Sequence, residues 1–573
     1  MSCRLRFALS FLALAAFSGA AEPAQPAPAT APATPASSPP PVKLAVVLVV
    51  DQLRADYLVK FRPYFGEGGF KRMLEGGTDY RNNHFRHALT VTAPGHATVL
   101  TGVHANVHGI LANDWFDRTL GDYINNVEDR AAPLVGADPG IRILNVPKAG
   151  RSPRNLKAAT VSDQLKLRFG SDSKVFAAAN KDRSAILLGG QRADAAYWDE
   201  YGEIVTSRYY RATLPAWIVA FNHERRVLSA YGRTWERLLE PAVYEKVQGP
   251  DDAPGETVEY GMNRVFPKRI TGGRGGIDAD FFTAFDRSPF SAEFLGEFVQ
   301  RAIKEEKLGR NTATDMLCVS FAQIDSIGHS YGPDSHEVMD SMIRLDRVLA
   351  GIFDTIDREV GLAHCVFVLT ADHGIPPLTE KMKADDPASP AVRVRTADMD
   401  APAARALDAA FGPLPPDTYW FARANPGSPN SGYHILPAAL EAKKLKAEDV
   451  AKVLKEFLAQ QPIIAAAYTR AELVVAEPAG DDLLAKVRRS YYKPSDRDVI
   501  YVLKPHVLDN YRTGVPHGSP YDYDTHVPQV WFGRGVARGV VSQERVGVDD
   551  IAPTLSGLLG LPAPPQAQGR RLF

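Results

Sequence analysis

The chain has 573 residues, 45% of them hydrophobic and 9% aromatic, which is ample for a large buried core and too long for one minimal domain. Lys and Arg total 66 against 67 Asp and Glu. That balance excludes a disordered polyelectrolyte and lacks the basic excess of a nucleic-acid binder, so an anionic ligand must be captured locally.

The first 21 residues read as a secretory signal peptide. Arg4 and Arg6 precede an apolar run from Phe7 to Phe17, and Ser18-Gly19-Ala20-Ala21 supplies small residues for cleavage. No later stretch approaches the roughly 20 apolar residues of a membrane helix. An exported protein, periplasmic or secreted and without a membrane span, is expected. Residues 22–42, dominated by Ala, Pro, Ser and Thr, read as an extended linker without chemistry. Cys3 lies in the leader, and Cys318 and Cys365, both in apolar strand-like runs, are expected as buried free thiols rather than a disulfide.

From residue 43 onward, short β-rich runs alternate with helical patterns. That alternation predicts an α/β fold with a mostly parallel central sheet and helices on both faces. Leu44 to Val50 is a fully apolar strand ending at Asp51, and Val175–Ala179, Met316–Phe321, Cys365–Leu369 and Val530–Phe532 are further strands. Val338, Met342, Leu345, Leu349, Phe353 and Ile356 recur at intervals of three and four, predicting a helix with one buried stripe, capped by Asp334 or Ser335. A second helix begins at Ser291, and a third carries Val450, Val453, Leu454, Phe457 and Leu458. Residues 190–290, rich in Tyr, Trp, Arg and Gly, and residues 375–500, with charge runs and many Pro, are read as insertions that cover the site rather than build the sheet. The second is expected to be folded, and no internal repeat is found.

In an open α/β sheet the ligand lies beyond the carboxyl ends of the strands. Asp51 follows the first strand; Asp325 and His329, spaced i, i+4, follow the strand ending at Phe321; Asp372 and His373 follow the strand ending at Leu369; and His517 lies shortly before Val530–Phe532. This oxygen and nitrogen donor set, free of thiolate, suits two Zn²⁺ ions per chain, with Mn²⁺ only weakly excluded. The stretch from Leu89 to Gly102 adds a hydroxyl. Pro94 suits the first turn of a helix and Gly102 the position past its end, so Thr92 falls at or just before a helix N-terminus, where an oxyanion is stabilised. Alone, Thr92 would be read as a helix cap.

Lys181 and Arg183 form a separate cationic pair. In an extended segment they point the same way and converge on one anion, and a monoester dianion needs that charge more than a diester does.

With these motifs the chain resembles the alkaline phosphatase superfamily, which also holds sulfatases, nucleotide pyrophosphatase/phosphodiesterases and cofactor-independent phosphoglycerate mutases. It is most similar to exported bacterial monoesterases of the PafA and PhoK type, over nearly the whole mature chain. The resemblance implies an alkaline phosphatase-like catalytic domain over 43–573, with Thr92 as nucleophile, Asn113 as the phosphate-binding amide, and Lys181 and Arg183 as the pair marking the monoesterase branch. It places one zinc on Asp51, Asp372, His373 and Thr92, and the other on Asp325, His329 and His517. His526 is the alternative last ligand; His517 fits the family's spacing to the following strand better. His96, His104 and His108 are expected to pack or hydrogen-bond near the nucleophile helix. The C-terminal segments Val548 to Leu555 and Gly569 to Phe573 also resemble the superfamily's tail.

The expected reaction is hydrolysis of a range of small phosphate monoesters through phosphothreonine, favoured at alkaline pH, in a monomer with no specific nucleic-acid partner. Thr92 argues against a sulfatase, whose nucleophile derives from Cys or Ser. A phosphodiesterase/nucleotide pyrophosphatase remains the alternative, opposed only by Lys181 and Arg183; a catalytically dead phosphate- or zinc-binding protein is opposed by Thr92.

Overall fold

The computed structural model describes residues 42–136, 149–424, 431–475, 478–494, 497–510 and 512–573. All belong to the second of the two units into which the chain divides, 41–573. The expected signal peptide, and all but the last residue of the expected linker, lie outside the described residues.

Ten strands form the central sheet: Leu44–Val50 (β1), Gly77–His84 (β2), Leu134–Val135 (β3), Val175–Ala179 (β4), Ala195–Glu200 (β5), Glu203–Ser207 (β6), Asp315–Phe321 (β7), Cys365–Thr370 (β8), Gln529–Gly533 (β9) and Val540–Gly547 (β10). Across the sheet they run β10-β2-β9-β8-β1-β7-β4-β5-β6-β3. The stretch β5-β4-β7-β1-β8 is parallel throughout, β9 runs antiparallel to β8 and β2, and β10 is parallel to β2. Every residue of β1 is buried. Strand side chains alternate between faces, so an all-apolar strand is stable only where both faces are covered.

Five helices bear on the core and the site: Thr92–Thr101 (α1), Asp182–Gly189 (α2), Phe290–Glu305 (α3), Gln323–Tyr331 (α4) and His336–Glu359 (α5). The expected stripe lies on α5. All six of its apolar residues are buried, and Ser335 caps the helix by accepting the Val338 N–H at 3.2 Å. Burial of each stripe residue contributes roughly 1.5–3 kcal/mol. Phe353→Ala would cost about 3–5 kcal/mol, because the cavity is walled by sheet and helix and collapses poorly.

One expectation is corrected. Residues 190–290 do not stand outside the sheet, because β5 pairs in parallel with β4 and turns back into β6. Tyr201 and Gly202 make the turn with φ of 55° and 79°. Two consecutive positive φ values define the hairpin turn whose twist matches its strands, and Gly202 meets its half of that requirement without strain. The stretch 375–500 carries the four-stranded sheet Phe421–Arg423, Gly432–Ile435, Val499–Leu503 and Ile464–Thr469, in that spatial order. Helices Asp400–Phe411 and Ala447–Ala459 share its core with Tyr433, Tyr501 and Leu454.

Cys318 on β7 and Cys365 on β8 are buried and free. Strand β1 lies between them, pairing Val47 with Cys318 and Leu44 with Cys365, which puts a disulfide out of reach. Burial pushes both thiols up to about 12. Among the described residues no helix is long and apolar enough to cross a membrane.

Candidate active site

Adjacent parallel strands end at one level, and their last residues converge there. The Asp51 N–H donates to Phe321 O at 2.8 Å, tying the end of β1 to that of β7. Two residues beyond β7, α4 begins, and its pitch puts His329 Nε2 3.2 Å from Asp325 Oδ1. Beyond β8 come Asp372 and His373. The loop before β9 brings in His517, with Nε2 3.5 Å from Asp325 Oδ1 and its ring stacked on His373 at 3.6 Å between centroids.

These donors form two overlapping groups, Asp51 with Asp372 and His373, and Asp325 with His373 and His517, each with ligand atoms within 4.8 Å of one another. Asp51 Oδ1, Asp372 Oδ2 and His373 Nε2 are buried without a hydrogen-bond partner. His373 Nε2 lies 3.2 Å from Asp51 Oδ1 and 3.6 Å from Asp372 Oδ2. Buried lone pairs held this close are costly unless they share a cation. The imidazoles are also pre-aimed: Nδ1 of His329, His373 and His517 lies 2.6, 3.0 and 3.0 Å from the carbonyl oxygens of Val515, Gly374 and Thr90. A carbonyl only accepts, so each Nδ1 carries a proton and each Nε2 is turned toward the carboxylate cluster. The donor set fits a divalent metal cofactor.

The local field is strong. Burial and Asp325 push Asp51 up, but Lys181 and His373 overcome them and leave it well below the usual carboxylate range. Burial raises Asp325 too, and Lys181 and His329 more than reverse it. Asp372 is raised by burial and by Asp51. The two stacked imidazoles diverge. Burial disfavours charge on His373, yet Asp372 and Asp51 raise it to about 9, whereas burial and His373 lower His517 to about 4.

Helix α1 delivers the hydroxyl. Val91, in extended conformation, takes the capping position, so Thr92 is the first helical residue, and the helix ends at Gly102 in left-handed conformation. Thr92 therefore is not a simple cap: Val91 holds the N-cap position and makes no side-chain cap bond. The helix lies directly on Asp372: His96 Nδ1 is 2.8 Å from Thr92 O and 3.1 Å from Asp372 Oδ2, and His96 Nε2 is 2.8 Å from Ser320 Oγ. Asn113 Oδ1 accepts the Ala93 N–H at 2.9 Å, which fixes the amide so that its NH₂ group is left for another acceptor.

Lys181 is extended, but Arg183 lies in the first turn of α2, so the expected extended Lys-x-Arg segment is corrected to a strand-to-helix junction. Lys181 Nζ donates to Asp51 Oδ2 at 2.7 Å and to Asp325 Oδ2 at 2.6 Å, bridging the two carboxylates, and they hold its pKa above the usual lysine value although burial opposes them. The Arg183 N–H donates to Asp182 Oδ1 at 2.7 Å, and its Nε is buried without a partner.

His526 stands apart, with Nε2 2.7 Å from Arg81 O and its ring stacked on His84. His104 and His108 are buried in packing roles, with His104 Nδ1 3.2 Å from His87 Nδ1 and His108 Nδ1 accepting the Ile110 N–H. Gln52 is not singled out by the sequence. Its N–H donates to Asp372 Oδ1 at 3.1 Å and its Nε2 to Asp325 Oδ1 at 2.8 Å, linking the two ligand groups. The available signal is only its place after Asp51; its φ of 69°, unusual for a non-glycine residue, arises only in the folded chain.

A sheet edge that gathers carboxylates and imidazoles beside a hydroxyl at a helix N-terminus defines the metal-dependent phosphate-ester hydrolase class. The type I phosphodiesterase/nucleotide pyrophosphatase family matches residues 45–492. The chain is 32% identical to alkaline phosphatase PafA of Elizabethkingia meningoseptica, over 92% of this chain and 93% of that one. It is 29% identical to alkaline phosphatase PhoV of Synechococcus elongatus, over 92% of each. The crystal structure of wild-type PafA superposes with a TM-score of 0.83 at 31% identity, covering 94% of this chain and 99% of that one. The chain belongs to this family, within the alkaline phosphatase superfamily, and is a phosphatase-type enzyme.

Proposed function

We propose that the protein hydrolyses a range of phosphate monoesters, releasing inorganic phosphate through a phosphothreonine formed on Thr92. The observation that carries this reading is the set of buried, unpartnered donors of Asp51, Asp372 and His373 against the helix that begins with Thr92. Asp51, Asp372, His373 and Thr92 would hold one zinc and Asp325, His329 and His517 the other, with His373 within reach of both groups. Two zinc ions bound there would supply Lewis-acid stabilisation of the attacking and departing oxygens.

The Thr92 hydroxyl, deprotonated, attacks phosphorus; the bond from phosphorus to the alcohol oxygen breaks, and the alcohol leaves with a proton. Water then attacks the phosphothreonine, returning the Thr92 hydroxyl and releasing phosphate. The transition state is loose, so positioning and charge neutralisation dominate. Asn113 and Arg183 grip the equatorial oxygens beside the positive end of α1. Lys181, which reaches both Asp51 and Asp325, meets an oxygen lying between the two donor groups.

The family's phosphodiesterase chemistry is the second reading, and the Lys181–Arg183 pair opposes it. Comparing 4-nitrophenyl phosphate with bis(4-nitrophenyl) phosphate decides between them: the monoester is expected to be cleaved faster, and faster diester cleavage overturns the substrate class. The leader-like residues 1–21 support export, and a monomer remains our expectation.

A further inference from the structure

Gln52 stands where both donor groups can be reached. Strand β1 lies between β8 and β7, and it turns away at Asp51 and Gln52, where the Leu53 N–H closes a turn on Val50 O at 3.1 Å. The Asp372 segment beyond β8 therefore flanks Gln52 on one side, and α4 with Asp325, beyond β7, flanks it on the other. Gln52 bonds to both. Its backbone N–H donates to Asp372 Oδ1 at 3.1 Å and its side-chain Nε2 to Asp325 Oδ1 at 2.8 Å. A carboxylate only accepts, so the nitrogen of the amide must face Asp325. Asp325 is then held at both oxygens, because Lys181 Nζ donates to Oδ2 at 2.6 Å. Asp372, held at Oδ1, keeps Oδ2 for the side that His373 occupies.

Two further features are arranged around this amide. Gln52 is fully buried, and a Cβ on Gly328 of α4 would fall 1.9 Å from its Oε1, so the helix leaves room for the amide one residue before His329. Gln52 also takes a φ of 69° at the third position of its turn, where Gly or Asn is the usual residue. Glycine would adopt that turn without strain and would still offer the N–H to Asp372; what it lacks is the amide. A strained conformation at such a position points to work done by the side chain.

We propose that Gln52 is a positioning residue whose side-chain amide keeps the Asp325 group in register with the Asp372 group, so that removing it weakens zinc at the Asp325 group and spares the other. The proposal rests on the two-zinc reading. Gln52→Gly isolates the side chain. Zinc-free enzyme titrated with Zn²⁺ in competition with a chelating indicator should take up two ions in the wild type. In Gln52→Gly one of them should bind about 10- to 100-fold more weakly, the usual effect of removing a hydrogen-bond partner of a metal-binding side chain, with the other unchanged. In a His329→Ala background, which leaves the Asp372 group intact, adding Gln52→Gly should not alter the affinity of the remaining zinc. Gly328→Ala reaches the same amide from the helix side: its methyl displaces only the flexible end of Gln52, and alanine suits a helix better than glycine. The same single zinc should weaken, and this variant decides the matter if Gln52→Gly does not fold. If neither zinc weakens, if both weaken alike, or if the zinc left in the His329→Ala background weakens too, the role of Gln52 is overturned and the two-zinc reading stands. A wild type that takes up fewer than two zinc ions overturns both.

Discussion

The carbonyl of Asp372 lies so close to Gly95 that a Cβ on residue 95 would fall 2.2 Å from its oxygen. Helix α1 and the loop that carries Asp372 are therefore in backbone contact, one turn of helix from Thr92. Glycine is required here because any side chain would push α1 off the strand end.

Gly95→Ala tests that contact. The helix must shift by about an ångström, and misplacement on that scale costs about 10²-fold in rate. We expect kcat to fall by about that factor with metal content preserved, as read from steady-state kinetics and metal analysis on the same sample. Undiminished kcat would show that the contact does not position the hydroxyl.

Thr92→Ala should remove turnover and all covalent labelling by a ³²P-monoester while leaving metal bound, since the remaining donors come from other elements. Thr92→Ser keeps a hydroxyl and should retain measurable activity. Labelling of the alanine variant would place the nucleophile elsewhere.

Lys181→Ala combined with Arg183→Ala should lower monoester hydrolysis by at least about 100-fold and diester hydrolysis much less, because a dianion loses more when fixed positive charge is withdrawn. Equal losses on 4-nitrophenyl phosphate and its diester would show that the pair does not discriminate.

The parts of this site legible in the sequence are those whose chemistry is also a local pattern. The unbroken apolar run of β1 announces both its strand and the carboxyl end at Asp51, and i, i+4 spacing announces the pairing of Asp325 with His329. Polar strands are harder to read: β2, Gly-Thr-Asp-Tyr-Arg-Asn-Asn-His, carries no apolar alternation, and it becomes a strand only because β9 and β10 flank it. The β5–β6 hairpin reads as part of a covering insertion because the stretch 190–290 around it is rich in Tyr, Trp, Arg and Gly and breaks the strand–helix alternation. Gln52 acts through contacts hundreds of positions away in sequence, so no window along the chain could reveal it, whereas His96 is legible as a hydrogen-bonding neighbour of the Thr92 helix.

Glu256 and Glu337 offer a test of stability away from the reaction centre. Both are buried, and Lys268, itself fully buried, lies 2.7 Å from Glu337 Oε1. Burial and the neighbouring Glu337 hold Glu256 well above the ordinary carboxylate range; burial likewise raises Glu337, against Lys268. A carboxyl raised in the folded state binds more protons there than in the unfolded chain. Stability therefore falls as pH rises from the ordinary carboxylate range toward the raised values. Glu256→Gln should raise Tm at pH 8–9, have little effect near pH 4, and flatten the profile between. A destabilisation that is the same at both ends would contradict the buried acid pair.

The central claim is that separated carboxylates and imidazoles gather two zinc ions that make Thr92 reactive. It is tested most directly by measuring zinc per chain in the purified enzyme alongside monoester hydrolysis, through chelation and readdition. The account predicts close to two zinc ions per active chain, activity that falls with their removal, and recovery when Zn²⁺ is restored. Full hydrolysis by a chain stripped of metal would contradict it.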